Sequence, residues 1–265
     1  MKRLVLSILF SFLLCASCVK EERGNCPCYL ILDFDELIGQ GAYVEAIATL
    51  SPSTDRSLYQ QKISIGEYEG RGYEIRVPKD LVKASVICGF KNVNFTGDRI
   101  TVPYNQQSDP VMAFGVERNI TGERDTLQVA LHKQFCRMDF KISDLDTREE
   151  FPYELRVSAE CNGLSLPDLA PLTGGFSAMA IEDETQNLSI RVPRQQRNIL
   201  SMEVLDKRDG HIYSVNLGET LDDLNYDWNK ADLDDIVLVV DFVQMSVEVV
   251  LVPWDENYDY ETIDI

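Results

Sequence analysis

Apolar and polar residues alternate with a period of two along most of this chain. Between Cys136 and Ile142, the apolar residues are separated by Arg137, Asp139 and Lys141. The same alternation recurs over residues 73–77, 84–90, 154–161 and 200–204. Because successive side chains of a strand point to opposite faces, each segment predicts a strand with one apolar and one polar face.

Two late runs, Ile236–Val240 and Val247–Val252, are apolar on both faces. They predict strands that lie in the middle of a covered sheet or at an interface. Asp209-Gly210 predicts a tight hairpin turn. Residues 221–233 are compatible with a short helix, although their asparagines and aspartates favour a loop. Strands at a spacing of about ten residues predict an all-β chain built from β-sandwiches.

The length of the chain allows two domains. About 235 residues remain beyond an N-terminal tether, enough for two domains of roughly 100 to 120 residues or for one large domain. The acidic segment 144–150 follows a strand that starts near Phe135, and we place the boundary just before that strand. This gives an N-terminal sandwich over residues 26–130 and a C-terminal sandwich over residues 131–265.

The N-terminus has the layout of a signal peptide. Lys2 and Arg3 precede an apolar run over residues 4–14, which is shorter than the roughly 20 residues that a bilayer span requires. Small residues then lead to Cys18, as in a bacterial lipobox, although Cys15 stands where leucine is usual. We therefore predict a signal peptide over residues 1–17, a lipid on the Cys18 sulfur and a tether over residues 18–25. A plain secretory signal with an incidental cysteine is the alternative.

A short charged tract follows the predicted lipid site. Lys20, Glu21 and Glu22 resemble the lysine and acidic residues that send some Bacteroidales lipoproteins to the outer face of the outer membrane. A solvated, charged tether is the alternative for the same three residues. The first interpretation places the protein on the cell exterior.

The negative charge of the chain argues against nucleic acid as a partner. Removal of residues 1–17 leaves 23 basic against 44 acidic residues, a formal charge of −21. Such a chain repels phosphate backbones, so we predict that it binds no nucleic acid. Its 45% hydrophobic content and 24 aromatic residues nevertheless predict a packed core rather than disorder.

Five cysteines remain after Cys15 and Cys18 are set aside, and an odd number cannot all pair within one chain. They are Cys26, Cys28, Cys88, Cys136 and Cys161. The last three lie on apolar strand faces and are predicted to be small core residues. A disulfide from Cys26 or Cys28 to another cysteine is compatible with an oxidising compartment, and the sequence does not identify its partner. No metal site is predicted, since Cys26-Pro27-Cys28 lacks the further ligands that a four-ligand zinc site needs.

Sequence motifs for enzymatic chemistry are absent. The chain has no glycine-rich phosphate loop, no Gly-x-Ser-x-Gly, no His-Glu-x-x-His and no EF-hand pattern. The neighbouring acids Asp222-Asp223 and Asp234-Asp235 would point to opposite faces of a strand, so they do not form a glycosidase pair. The acidic loop 222–235 offers oxygen ligands for Ca²⁺, but a solvated loop is the simpler interpretation. We predict no enzymatic activity, no catalytic residue and no cofactor.

An ordered set of weak motifs resembles a known family. It comprises Cys26-Pro27, the apolar-to-acidic run 30–35, the mid-chain segment 130–138, and the late segments 216–221, 235–238 and 252–254. Together with the lipobox, this order is similar to that of the FimB-type fimbrial anchor subunits of Bacteroidales. The chain departs from the family pattern in its Cys-Pro-Cys and in its imperfect lipobox, and the latter bears on anchoring.

The resemblance implies two tandem transthyretin-like Greek-key β-sandwiches. It also implies a lipid-anchored structural protein on the bacterial outer membrane, which anchors a fimbrium and has a role in limiting its length. The implied partner is a fimbrial shaft subunit, held by strand exchange. Shaft subunits of such polymers lose an N-terminal strand, whereas an anchor should keep it. The segment Cys28–Phe34 is therefore expected to pair within its own domain.

The segment after residue 253 is a candidate contact for that partner. Its aromatic and apolar residues are Trp254, Tyr258, Tyr260, Ile263 and Ile265. The alternation of Tyr258-Asp259-Tyr260-Glu261 motivates this hypothesis, but it slips near Thr262. The alternative is that the segment completes the C-terminal sandwich.

Two other functions fit the same fold class. The first is a shaft or tip fimbrial subunit or an adhesin. The second is a glycan-binding surface lipoprotein, which would need aromatic side chains that converge on one exposed face. The candidates for such a face are Tyr68, Tyr73, Tyr104, Trp228, Tyr258 and Tyr260.

Overall fold

The computed structural model describes residues 26–39, 45–54, 56–142, 152–182, 188–241 and 246–253. Within them strands dominate, which confirms the predicted all-β sandwich fold. The helices are α1 (Asp35–Ile38) and α2 (Leu217–Asp223), with a 3-10 turn over Ile65–Tyr68. The strand predicted over residues 84–90 is present, although it begins at Leu81 and ends at Cys88.

The strands up to residue 130 are here called the N-terminal part. They are β1 (Cys28–Asp33), β2 (Glu45–Pro52), β3 (Tyr59–Ser64), β4 (Tyr73–Val77), β5 (Leu81–Cys88), β6 (Asn94–Thr96), β7 (Arg99–Thr101), β8 (Met112–Asn119) and β9 (Arg124–Gln128). All of them except β6 and β7 belong to two facing sheets. The smaller sheet has the order β4-β1-β9, and a larger sheet includes β8-β5-β2-β3. Leu30, Leu32 and Phe34 are fully buried between the two sheets.

The C-terminal part, from residue 131 onward, contains the remaining strands. They are β10 (His132–Lys133), β11 (Phe135–Ile142), β12 (Tyr153–Ser165), β13 (Pro171–Met179), β14 (Ile181–Glu182), β15 (Leu188–Pro193), β16 (Leu200–Asp206), β17 (Ile212–Val215), β18 (Asp235–Asp241) and β19 (Ser246–Val252). One sheet has the order β14-β15-β11-β18-β19, and it faces a second sheet of β12, β13, β16 and β17. The hairpin predicted at Asp209-Gly210 joins β16 to β17, and Gly210 has a φ of 75°.

The first long strand of each part occupies an equivalent position. Strand β1 lies between the antiparallel β4 and the parallel β9, and β11 lies between the antiparallel β15 and the parallel β18. The expected pairing of the segment that begins at Cys28 within its own part of the chain is therefore present. The strand itself ends at Asp33, and Phe34 follows it into the core.

A hairpin of the N-terminal part completes a sheet of the C-terminal part. Strands β6 and β7 pair with each other, and Thr101, Ile100 and Arg99 of β7 pair with residues 163–165 of β12. The backbones meet so closely that a Cβ on Gly163 would lie 2.0 Å from the carbonyl oxygen of Ile100. Apart from Val102, which packs in the C-terminal core, the members of the two larger apolar cores divide near residue 135. The exact boundary predicted near residue 130 stays a prediction.

A third, smaller apolar cluster fills the space between the two parts. Ile87 and Ala113 lie on the outer face of the larger N-terminal sheet and are at most 1% exposed. They are covered by Ile100 of the hairpin and by Leu166 and Leu169 of the C-terminal part. Since burial of apolar surface contributes about 25 cal/mol per Å², this cluster stabilises the contact between the two parts.

The five described cysteines are free thiols, and Cys26 is the exposed one among them. Cys88, Cys136 and Cys161 are at most 1% exposed, which confirms their predicted core positions. Burial raises the pKa of the Cys88 thiol to about 12, and it also raises the pKa of the other buried thiols. A thiol that is buried and protonated reacts slowly with electrophiles.

We therefore expect a single maleimide label, on Cys26, when a Cys15→Ser, Cys18→Ser chain is treated at neutral pH. Mass spectrometry should find five labels after the chain is unfolded. Adding Cys26→Ser should remove the native label and leave four after unfolding. Rapid native labelling at two or more sites would contradict the burial of these thiols.

Candidate functional site

Strand β19 forms one edge of the five-stranded C-terminal sheet. It pairs with β18 over seven consecutive residues without a shift in register, from Asp235 opposite Val252 to Asp241 opposite Ser246. Among the described residues, no strand pairs with its outer side. The edge therefore presents a row of backbone N–H and C=O groups that another strand could pair with.

The side chains of β19 suit an interface better than a free edge. Val247, Val249 and Leu251 are half-buried and pack against the core, and Glu248 is the sole charged residue of the strand. Natural edge strands are usually protected by charges, prolines or bulges, and β19 has little of this protection. The neighbouring β18 is buried along its centre, as its doubly apolar sequence predicts.

The opposite edge of the same sheet is different. It is formed by β14, which comprises Ile181 and Glu182 only. Both residues are exposed, and Ile181 is 59% exposed. A two-residue strand offers few backbone groups for pairing, so the sheet has one long edge and one short edge.

A cluster of polar and charged side chains lies at the end of the sheet where β19 ends, and it holds neighbouring segments together by hydrogen bonds. Asp235, which pairs with Val252, accepts hydrogen bonds from the fully buried Lys133 ammonium and from the Arg137 backbone N–H at 2.7 Å. Asp232 accepts a hydrogen bond from the Lys133 backbone N–H at 2.7 Å, and its other oxygen lies 3.0 Å from His132 Nδ1. These bonds tie β10 and the start of β11 to the loop before β18 and to the first residue of β18. We call this group, together with Arg194, the polar clasp.

Arg194 is the centre of the polar clasp. Its Nε donates to Gln134 Oε1 at 2.8 Å, and its Nη atoms donate to four backbone carbonyls. Those carbonyls belong to Lys133, Trp228, Lys230 and Ala231. Burial lowers the pKa of the guanidinium from its usual value. Its N–H groups thus join the loop over residues 228–231 to residues 133 and 134, with three of the five acceptors in the loop.

A buried glutamine seals the junction between the two parts. The side-chain amide of Gln195 accepts from the Cys161 backbone N–H at 2.7 Å and donates to the Cys161 carbonyl at 2.9 Å. The register of β12 shifts on either side of Cys161, after its pairing with β16 ends at Ala159 and before its pairing with β7 begins at Gly163. Gln195 therefore takes the place of a strand partner where the two parts meet.

The residues predicted for anchoring and partner contact lie outside the described residues. They are Cys18, Lys20, Glu21, Glu22, Trp254, Tyr258, Tyr260, Ile263 and Ile265. In the sequence, the candidate contact segment follows residue 253, the last described residue after β19. None of the described helices is long and apolar enough to cross a bilayer.

The other candidates from the sequence have structural positions. Trp228 is 3% and Tyr73 is 9% exposed, whereas Tyr104 is 76% exposed, so these aromatic residues do not share one exposed face. The acidic loop is only partly solvated, because Asp234 contacts Lys230 while Asp232 and Asp235 belong to the polar clasp. Among the described residues, no group of three or more side chains is placed to bind a metal ion.

Comparison with known proteins relates the fold to surface proteins of Bacteroidales. No family model and no curated protein matches the chain. Among solved structures, it is similar to a candidate polysaccharide-binding protein from Bacteroides thetaiotaomicron, with a TM-score of 0.59 and 12% identity over 88% of this chain and 99% of that one. The fimbrial anchor protein Mfa2 from Porphyromonas gingivalis has a TM-score of 0.55 and 12% identity over 85% of this chain and 96% of that one. A candidate adhesin from Bacteroides ovatus has a TM-score of 0.57 and 11% identity, and the match covers 90% of this chain and 98% of that one.

These similarities concern the fold. The all-β fold of this chain is thus similar to that of a fimbrial anchor and of candidate adhesins, each along almost the full length of that protein. Because one fold supports many functions, function has to be argued from the positions of particular strands and residues.

Proposed function

We propose that the chain is a non-enzymatic surface lipoprotein that anchors a fimbrium to the outer membrane and limits its length. In this proposal a lipid on Cys18 holds the protein on the outside of the cell, with Lys20, Glu21 and Glu22 as its export signal. Its partner is a fimbrial shaft subunit. The fold shared with Mfa2 and with candidate adhesins supports this assignment.

The observation that carries the proposal is the position of β1. This strand is paired over five residues on each side, with β4 and with β9. Its side chains Leu30 and Leu32 are fully buried in the N-terminal core. A shaft subunit that accepts a donated strand at this position would need it vacant, whereas here the chain fills it. The arrangement therefore suits the base of a fimbrium better than its shaft.

The edge of β19 is the surface that we assign to the shaft subunit. A strand added there would gain backbone hydrogen bonds along seven residues, and its side chains would alternate between the two faces of the sheet. On the core face it would meet Val247, Val249 and Leu251. The partner strand is therefore expected to carry apolar residues at every second position.

Val250→Lys is expected to release fimbriae from cells, because a charge on the edge strand opposes the docking of another strand. Val250 is half-buried on β19. Cells that express the variant in place of the native chain should show a large fall in attached fimbriae and a matching rise in the culture medium. Electron microscopy and immunoblotting of cells and medium would measure both.

Ile181→Lys provides the matched control, since it introduces the same charge on the opposite edge of the same sheet. It should leave attachment unchanged, and both variants should keep the thermal midpoint of the native chain within a few degrees. Normal attachment with folded Val250→Lys would contradict the assignment of the edge. Labelling of the chain along the whole shaft by immunogold would favour a shaft subunit instead.

A further inference from the structure

We propose that the N-terminal part is built to resist tension, because a pull on its tether would load β1 in shear. The inference rests on the proposed function in one respect, namely that the pull enters through residues 18–25. The resistance itself follows from strand directions in the described residues.

The chain enters and leaves the N-terminal part on two neighbouring parallel strands. Strands β1 and β9 run in the same direction, with Tyr29 opposite Arg124 and Asp33 opposite Gln128. The tether precedes Cys28, at the start of β1, while the chain continues to the C-terminal part from Gln128, at the end of β9. A pull between tether and C-terminal part therefore drives the two strands past each other along their length.

Separating two strands by shear of this kind requires a much larger force than peeling them apart. When strands slide lengthwise, all the hydrogen bonds between the aligned residues are strained together. When strands are pulled apart from one end, the bonds break one after another. Two bonds at the ends of the pair add to the set, from the Tyr29 N–H to the Glu123 carbonyl at 2.9 Å and from the Val129 N–H to the Asp33 carbonyl at 3.0 Å.

Strand β1 is held on its other side as well. Five of its residues are aligned with β4, from Cys28 opposite Val77 to Leu32 opposite Tyr73. The apolar side chains of β1, including Leu30, would have to leave the core as the strand slides. Extraction of β1 therefore requires two rows of hydrogen bonds and a packed core to fail together.

The N-terminal part is joined to the C-terminal part by the chain after β9 and by the pairing of hairpin β6–β7 with β12, and both connections support the same direction of load. They leave the N-terminal part from the end that is remote from Cys28. Strand β10 pairs with the start of β8, with His132 opposite Ala113, and only three residues separate it from the end of β9. Hairpin β6–β7 follows the end of β5, where Cys88 lies opposite Met112 of β8.

The C-terminal edge has the opposite geometry. Strand β19 finishes opposite Asp235, at the start of β18, and β11 begins at this same end because Met138 lies opposite Ile236. A pull on residue 253 would peel β19 from β18 one pair at a time. The geometry therefore favours a partner that holds the length of the β19 edge over one that holds only the segment after it.

Single-molecule force measurements on the full Cys15→Ser, Cys18→Ser chain would test this inference. Handles on the exposed Cys26 and on Ala130→Cys pull β1 and β9 in shear, since residue 130 follows the end of β9. With Cys26→Ser added, handles on Glu36→Cys and Ala130→Cys pull from the end shared by both strands. The rupture force of the first pair should exceed that of the second several-fold, because forced unfolding reports the barrier along the pulled direction.

A second peeling pair guards against a variant that fails to fold. Handles on Cys26 and Glu123→Cys act at the shared starting end of β1 and β9, and they should also give a low force. Equal forces for shear and peeling pairs would overturn the inference. The measurement involves neither lipid nor fimbriae, so it can fail while the proposed anchoring holds, and anchoring can fail in cells while the force difference holds.

Discussion

Replacement of Arg194 by methionine should lower the free energy of unfolding by about 3 to 5 kcal/mol. Methionine fills much of the same space but removes every donor, so one side-chain oxygen and four backbone carbonyls lose the Arg194 hydrogen bonds. Each buried polar group without a partner costs about 1 to 3 kcal/mol. The total loss in the free energy of unfolding should be smaller than the sum of these individual costs, because the loop over residues 228–231 can move and expose some carbonyls to water.

Two further substitutions at this segment separate charge from geometry. Arg194→Lys keeps the charge but offers three donors from a point, so it should recover only part of the lost stability. Arg197→Met, three residues later, removes a side chain that is 64% exposed and pairs with Glu160. An exposed ion pair contributes at most about 1 kcal/mol, so this control should unfold almost like the native chain.

Urea unfolding followed by circular dichroism would give these free energies by linear extrapolation. The order of stability should be native, Arg197→Met, Arg194→Lys and Arg194→Met. A value for Arg194→Met within about 1 kcal/mol of the native protein would show that the polar clasp does not stabilise the fold.

Cys18→Ser should abolish lipid attachment and release both the protein and its fimbriae from cells. A serine at this position lacks the thiol to which a lipid would be joined, and buried acyl chains contribute about 0.8 kcal/mol per CH₂. Without them, a chain with a formal charge of −21 after cleavage has no attraction to an anionic membrane surface. Labelled palmitate should disappear from the protein, and the protein should move to the soluble fraction.

Cys15→Ser is the matched control, because Cys15 lies within the predicted signal peptide. It should keep the palmitate label, the membrane fraction and the attached fimbriae. Protease treatment of intact cells should digest the native protein if it faces the exterior. If Cys18→Ser chains remained membrane-bound and their fimbriae remained attached, the anchoring function proposed here would be wrong.

The strands that the sequence predicted best are those with one apolar face and one polar, more exposed face. The alternating segments around Cys136, Leu155 and Met202 correspond to β11, β12 and β16. Strand β2 is harder to recognise, because Ile47 and Thr49 are buried on its outer face as Ala46 and Ala48 are on its inner face. Its outer face is covered by other parts of the chain, so the alternation that marks a half-buried strand is lost.

The junction could not be predicted for a different reason. Strands β6 and β7 have three residues each, and their partner on β12 is more than 60 residues further along the chain. Short strands have little periodicity, and pairing between distant segments leaves no local trace in the sequence. Gly163 is the one clue, since a glycine within a strand often marks a close approach of backbones.

The polar clasp shows a similar limit. The sequence identifies residues 222–235 as an acidic loop but not the partners of its carboxylates, which lie about 100 residues earlier. Arg194 has no sequence signal at all, because four of its five acceptors are backbone carbonyls. The edge of β19 was partly predictable, since a doubly apolar run indicates either a central strand or an interface.

The crossing hairpin has a consequence for biogenesis. Until residues 163–169 have been synthesised and have reached the hairpin, Ile87 and Ala113 lack the cover that Leu166 provides in the folded protein. Exposed apolar surface of this kind makes partly folded chains prone to aggregation. The N-terminal part should therefore need protection from aggregation until the second half of the chain has folded against it.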